Sequence, residues 1–165
     1  MKHLTVHFAL LSILIVTPCS ASSFGPSGYT FYEAADYEKA LAHARQANKK
    51  VLVVLTLPNC PPCNYTRNQL SRETFREIYQ HNFIGVYALW PLSDADKKVW
   101  IAYTDRRTMA PIWVFLTPTG EAICREIGAF NIPEEGIALG KKVLAMSKPP
   151  AEATNQKRLP QCSKL

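Results

Sequence analysis

Two cysteines spaced by two prolines, Cys60-Pro61-Pro62-Cys63, stand directly behind the apolar, largely β-branched run Val51 to Leu57. This junction constrains the chain more than any other feature. A nearly unbroken run of Val and Leu reads as a strand buried on both faces, at the centre of a parallel or mixed sheet. The polar stretch that follows, from about Cys60 to Gln80, reads as a helix. The prolines suit its first turn, where a missing N–H costs nothing and the fixed φ is already helical. A sulfur at such a helix start faces unpaired backbone N–H groups and the positive end of the helix dipole, both of which favour a thiolate. Only the thiolate attacks disulfides, and an unassisted cysteine is mostly protonated at neutral pH. Two intervening residues bring the second sulfur one turn on, within reach of the first. Cys60 is therefore assigned as the exposed attacking thiol and Cys63 as the buried resolving thiol. Half of a zinc site is the weaker reading, because His43, His81, Cys124 and Cys162 are not paired at ligand spacing. A purely structural crosslink over so short a loop removes little chain entropy.

Around this junction the pattern alternates. Tyr29 to Tyr32 suits a short edge strand, and Glu33 to Asn48 a helix with Ala34, Tyr37, Leu41 and Ala44 on one face. Phe83 to Leu89 reads as a second core strand and Asp94 to Tyr103 as a helix. Ile112 to Leu116 and Ala122 to Ile127 read as a hairpin turning through Thr117-Pro118-Thr119-Gly120. Pro133 to Met146 closes the domain as a helix. This order predicts an α/β fold with a mixed central sheet flanked by helices on both faces. Trp100, Trp113 and Phe115 are expected in the core, and His43 and His81 on solvated helix surfaces.

The ends read differently. Residues 1–21 have a short basic start, an apolar run from Leu4 to Val16 and small residues at Cys19-Ser20-Ala21, the pattern of an export signal. Cleavage after Ala21, retention as an anchor, and lipidation of Cys19 all stay open. The expected location is periplasmic or otherwise exported. Residues 22–28 suit a flexible lead-in and 29–147 the domain. Residues 148–165 are Pro-rich and basic and suit a disordered tail. Beyond the signal, four of the five cysteines remain. Cys124 and Cys162 either pair or stay as a small core residue and a tail thiol. The net charge of +6 comes from scattered Lys and Arg without an aromatic-interleaved stripe, which argues against nucleic-acid binding. No phosphate loop, metal motif or Ser/His/Asp arrangement stands out, so no cofactor is expected.

Together, the Val51–Leu57 strand feeding the CxxC pair, Met109-Ala110-Pro111 ahead of the next strand, and the 117–120 hairpin with Gly128 resemble the thioredoxin superfamily over roughly Tyr29 to Met146. The resemblance implies a thioredoxin-like fold and thiol–disulfide exchange. It makes Pro111 a cis-proline lying against the CxxC, with Ala110 as the docking residue for substrate and Met109 close by. Three departures stand out. Asn59 and Pro61 replace the Trp and Gly common around the family's motif. Val54 occupies the aligned place of the family's buried acid. The expected function is an oxidoreductase that reduces, isomerises or oxidises disulfides in client proteins, with a membrane-bound thiol partner supplying electrons. The alternative is a binding or chaperone-like module whose CxxC stays oxidised.

Overall fold

The computed structural model describes residues 29, 31–104, 109–146 and 159–165. The expected signal, the lead-in, residue 147 of the domain and residues 148–158 of the tail lie outside these. The element order is β1 (Phe31–Glu33), a single 3-10 turn (Ala34–Asp36), α1 (Tyr37–Ala47), β2 (Lys50–Thr56), α2 (Pro61–Leu70), α3 (Glu73–Asn82), β3 (Phe83–Leu89), α4 (Asp94–Tyr103), β4 (Ile112–Leu116), β5 (Ala122–Ile127) and α5 (Pro133–Ala145). Among the described residues the strands form one five-stranded sheet in the order β1-β3-β2-β4-β5. β1, β3 and β2 are parallel, and β4 and β5 run antiparallel to their neighbours β2 and β4.

Strand β2 sits at the centre because it has no polar face to show. Val51, Val53 and Leu55 point into a layer with Ala40, Leu41 and Ala44 of α1 and Val99 and Trp100 of α4. Leu52 and Val54 point the other way, toward Leu70 of α2, Phe75 and Tyr79 of α3, and Leu139 and Val143 of α5. Two-residue periodicity thus splits one apolar run between two cores. The expected core residues Trp100, Trp113 and Phe115 are all at most 1% exposed, and each large aromatic side chain so buried contributes on the order of 2–3 kcal/mol. Close packing also fixes a glycine. Phe31 lies across from Gly85 in the β1–β3 register, and a Cβ there would stand 2.6 Å from its ring.

Three expectations are corrected. The single helix from Cys60 to Gln80 is two, α2 and α3, broken at Ser71-Arg72. Ser71 Oγ donates to the Asn68 carbonyl at 2.7 Å, and Arg72 is extended; such side-chain bonding competes with helix continuation. The break re-aims α3 so that Phe75 and Tyr79 face the sheet. The first strand is Phe31–Glu33, two residues later than expected. Within the expected disordered tail, Leu159 to Leu165 is ordered and docks on β5. The Arg125 N–H donates to the Pro160 carbonyl at 2.9 Å. Glu126 accepts from the Gln161 side-chain amide at 3.2 Å and the Ser163 N–H at 2.8 Å. Cys124 and Cys162 are joined in a disulfide, and neither is exposed. An edge strand with open N–H and C=O groups takes any partner the chain offers, and composition alone did not show that this tail offers one.

Candidate active site

The parallel strand β2 ends at Thr56, and Leu57-Pro58-Asn59 carries the chain over the sheet's rim into α2. Asn59 makes the turn with φ +53°, a conformation that asparagine tolerates better than most residues. Cys60 follows as the N-cap of α2, in extended backbone conformation, with prolines filling the first helical positions. Its Sγ accepts the Cys63 N–H at 3.2 Å, and its carbonyl accepts the Asn64 N–H at 3.1 Å. A cap that usually uses an oxygen is here supplied by sulfur. The first turn of α2 holds no acidic residue that would oppose a negative charge on that sulfur.

Cys60 and Cys63 form a disulfide, S–S 2.01 Å. Cys60 is half-buried and reachable, whereas Cys63 is 3% exposed. The asymmetry matches the assignment of an accessible first sulfur and an enclosed second one. Across the rim, the Ala110–Pro111 bond is cis, as the resemblance implied. The Ala110 carbonyl oxygen lies 3.9 Å from Cys60 Sγ, and Met109 is exposed beside it. All five sequence-derived site residues therefore meet at one end of the sheet. The Pro111 carbonyl accepts the Gly128 N–H at 2.8 Å, tying this loop to the end of β5. An open cleft of about 460 Å³ continues from there, lined by Ile127, Gly128, Phe130, Leu139, Lys142 and Ser163.

Several features of this end escaped the sequence reading. The Trp90–Pro91 bond is also cis, and it opens the turn that presents Leu92, 71% exposed. Buried Asp96 holds that turn, accepting the Leu89 N–H at 2.9 Å and the Ser93 hydroxyl; the Ser93-x-x-Asp96 spacing at a helix start was its signal. Tyr65 within α2, Leu92 after β3, Met109 before β4 and Ile132 between β5 and α5 leave large apolar side chains exposed. In β2, Val54 is buried at 1% exposure and contributes no acid. His43 and His81 are exposed on helices away from the rim. Among the described residues no group of three or more His, Cys, Asp or Glu is placed to hold a metal ion, and no helix is long and apolar enough to cross a membrane.

Comparison with known proteins agrees with this architecture. A family model described as thioredoxin-like matches residues 31–118. A thioredoxin from Thermus thermophilus superposes with a TM-score of 0.57 at 22% identity, covering 66% of this chain and 84% of its own. A structure titled DsbH oxidoreductase gives 0.57 at 16% identity, covering 79% and 94%. A thioredoxin from Aeropyrum pernix gives 0.50 at 14% identity, covering 70% and 88%. No curated protein matches by sequence. With the match spanning the central strand, the cysteine pair and the cis-proline loop, the chain belongs to the thioredoxin-like family.

Proposed function

We propose that this protein is an exported thiol–disulfide oxidoreductase acting on client proteins through Cys60 and Cys63. One observation carries the reading: a reachable sulfur caps a helix, bonded to an enclosed sulfur and 3.9 Å from the carbonyl of Ala110 in the cis-proline loop. In the reducing direction the Cys60 thiolate attacks a client disulfide and releases one client thiolate. Cys63 then loses its proton and attacks the Cys60 sulfur. The mixed disulfide breaks, the second client thiolate leaves and takes up a proton, and the Cys60–Cys63 bond carries the two electrons' worth of oxidation. A thiol partner, on our reading membrane-bound, returns the pair to the dithiol. Run backwards, the same steps oxidise a client dithiol.

Met109, Ala110 and Pro111 form the client platform on this reading, with the Ala110 backbone aligning an extended client segment beside Cys60. The exposed Leu92, Tyr65 and Ile132 support clients that present apolar sequence next to their cysteines. Export is supported by the signal-like pattern of residues 1–21.

Insulin reduction and refolding of scrambled ribonuclease test the function. Cys60→Ser is expected to abolish both, and Cys63→Ser to accumulate a mixed disulfide with client. If Cys60→Ser matches the parent, the fold serves as a binding module and catalysis is the wrong reading. The mass of the protein recovered from the exported fraction tests the location.

A further inference from the structure

Helix α2 buries four side chains against the sheet, Cys63, Thr66, Gln69 and Leu70. Two of them are polar and deeply enclosed, Thr66 at 1% and Gln69 at 0% exposure. Gln69 spends its amide N–H on the Phe130 carbonyl at 3.4 Å, but its Oε1 has no partner. The Thr66 hydroxyl has none either. A threonine inside a helix normally back-bonds to the carbonyl one turn earlier, and a buried hydroxyl without a partner retains its full desolvation penalty. The chain nevertheless places this hydroxyl three residues after Cys63, on the same buried face, the spacing at which helix side chains meet.

In this disulfide form the Thr66 hydroxyl bonds to neither sulfur of the pair. In the Cys60–Cys63 disulfide the Cys63 sulfur carries no proton and is a weak acceptor. Reduction changes both properties. A Cys63 thiol donates to a hydroxyl oxygen, and a Cys63 thiolate accepts from a hydroxyl proton. Strand β2 carries valine at position 54, and its one buried hydroxyl, on Thr56, is already spent on the Ala88 carbonyl at 3.4 Å. We infer that Thr66 is a positioning residue for the reduced state, whose hydroxyl is unpaired in the disulfide form and pairs with the Cys63 sulfur in the dithiol form. It thereby biases the couple toward reduction and holds the resolving sulfur as it ionises. Thr66 takes no net proton; the proton that leaves Cys63 ends on the departing client thiolate.

This inference rests on the proposed redox role, and one experiment separates the two. The full chain is equilibrated with glutathione redox buffers, and the oxidised fraction is read by alkylation and mass. Thr66→Val keeps the shape, loses the hydroxyl, and relieves the unpaired group in the disulfide form. Both effects favour oxidation. The expected shift is about tenfold toward the disulfide, equivalent to a potential roughly 30 mV more negative for a two-electron couple. Thr66→Ser, which keeps the hydroxyl, is expected to stay near the parent. Trapped mixed disulfide is expected to resolve more slowly in Thr66→Val and at parental rate in Thr66→Ser. Thr66→Ala carries the same expectation as Val and serves if Val does not fold. A Val or Ala variant within twofold of the parent, or a Ser variant that shifts as far as Val, overturns the inference while leaving the redox reading intact. A parent couple that never equilibrates with glutathione overturns both.

Discussion

Removing the second disulfide by Cys124→Ala together with Cys162→Ala tests what holds the C-terminal segment on the sheet. The bond joins residues 38 apart in sequence, against 3 for Cys60–Cys63. If its main effect is to restrict the unfolded chain, loop closure contributes about 4 kcal/mol for the longer loop and about 1.5 kcal/mol for the shorter. The sulfurs are enclosed, so their loss also costs some packing. A domain of this size loses roughly 3–4 °C of Tm per kcal/mol, so the double alanine variant is expected to melt roughly 10–15 °C below the parent. Circular dichroism melts at neutral pH, with Cys60→Ser/Cys63→Ser as the comparison, read the difference directly. The comparison variant is expected to lose less than half as much. A Cys124/Cys162 variant that melts within about 3 °C of the parent refutes the reasoning. It would show that the hydrogen bonds of Glu126 and Arg125 to the segment suffice, or that the unfolded chain was already restricted.

Other expectations follow from single contacts. Reduced Cys60 is expected to react with iodoacetamide at neutral pH at least about tenfold faster than glutathione does, because the helix start favours its thiolate; a rate equal to glutathione's contradicts the cap geometry. Gly85→Val drives a side chain into the Phe31 ring, and urea unfolding is expected to show a loss of about 1–3 kcal/mol. Tyr29, Tyr37, Tyr79 and Tyr103 are held protonated by burial, and their phenols are raised above the usual value. Their contribution is therefore whole below about pH 10, where unfolded tyrosine titrates, and declines as pH climbs past it. The urea midpoint is expected to fall between pH 9 and pH 11, and a flat profile contradicts the burial.

The cysteine junction and the alternation of strands and helices were legible because each rests on local pattern. β2 is apolar on both faces, the helix from Asp94 to Tyr103 begins at a Ser cap, and the hairpin turns at Pro118 and Gly120. Long-range choices were not legible. Nothing in Leu159-Pro160-Gln161-Cys162 distinguishes a docked segment from a loose one until β5 is seen to have a bare edge and a cysteine facing it. The break at Ser71-Arg72 hid inside a uniformly polar stretch, where periodicity carries little weight. The site was read as a pair and a loop, but the companions of Cys63 on the buried side of α2 needed the packing. Thr66 and Gln69 look like ordinary surface residues in sequence, and only their enclosure sets them apart.

On the proposed function, a protein that swaps sulfur partners carries a hazard in its own framework, since any bridge it can reach it can also scramble. Here the two bridges sit in different worlds. One opens onto the rim with a sulfur toward the solvent, and the other is sealed between the outermost strand and the segment that covers it. The cover that seals Cys162 also bridges the outer edge of β5 at Arg125, where a stray extended peptide would otherwise add. A single staple thus keeps the scaffold out of its own chemistry and leaves incoming chains the other end of the sheet.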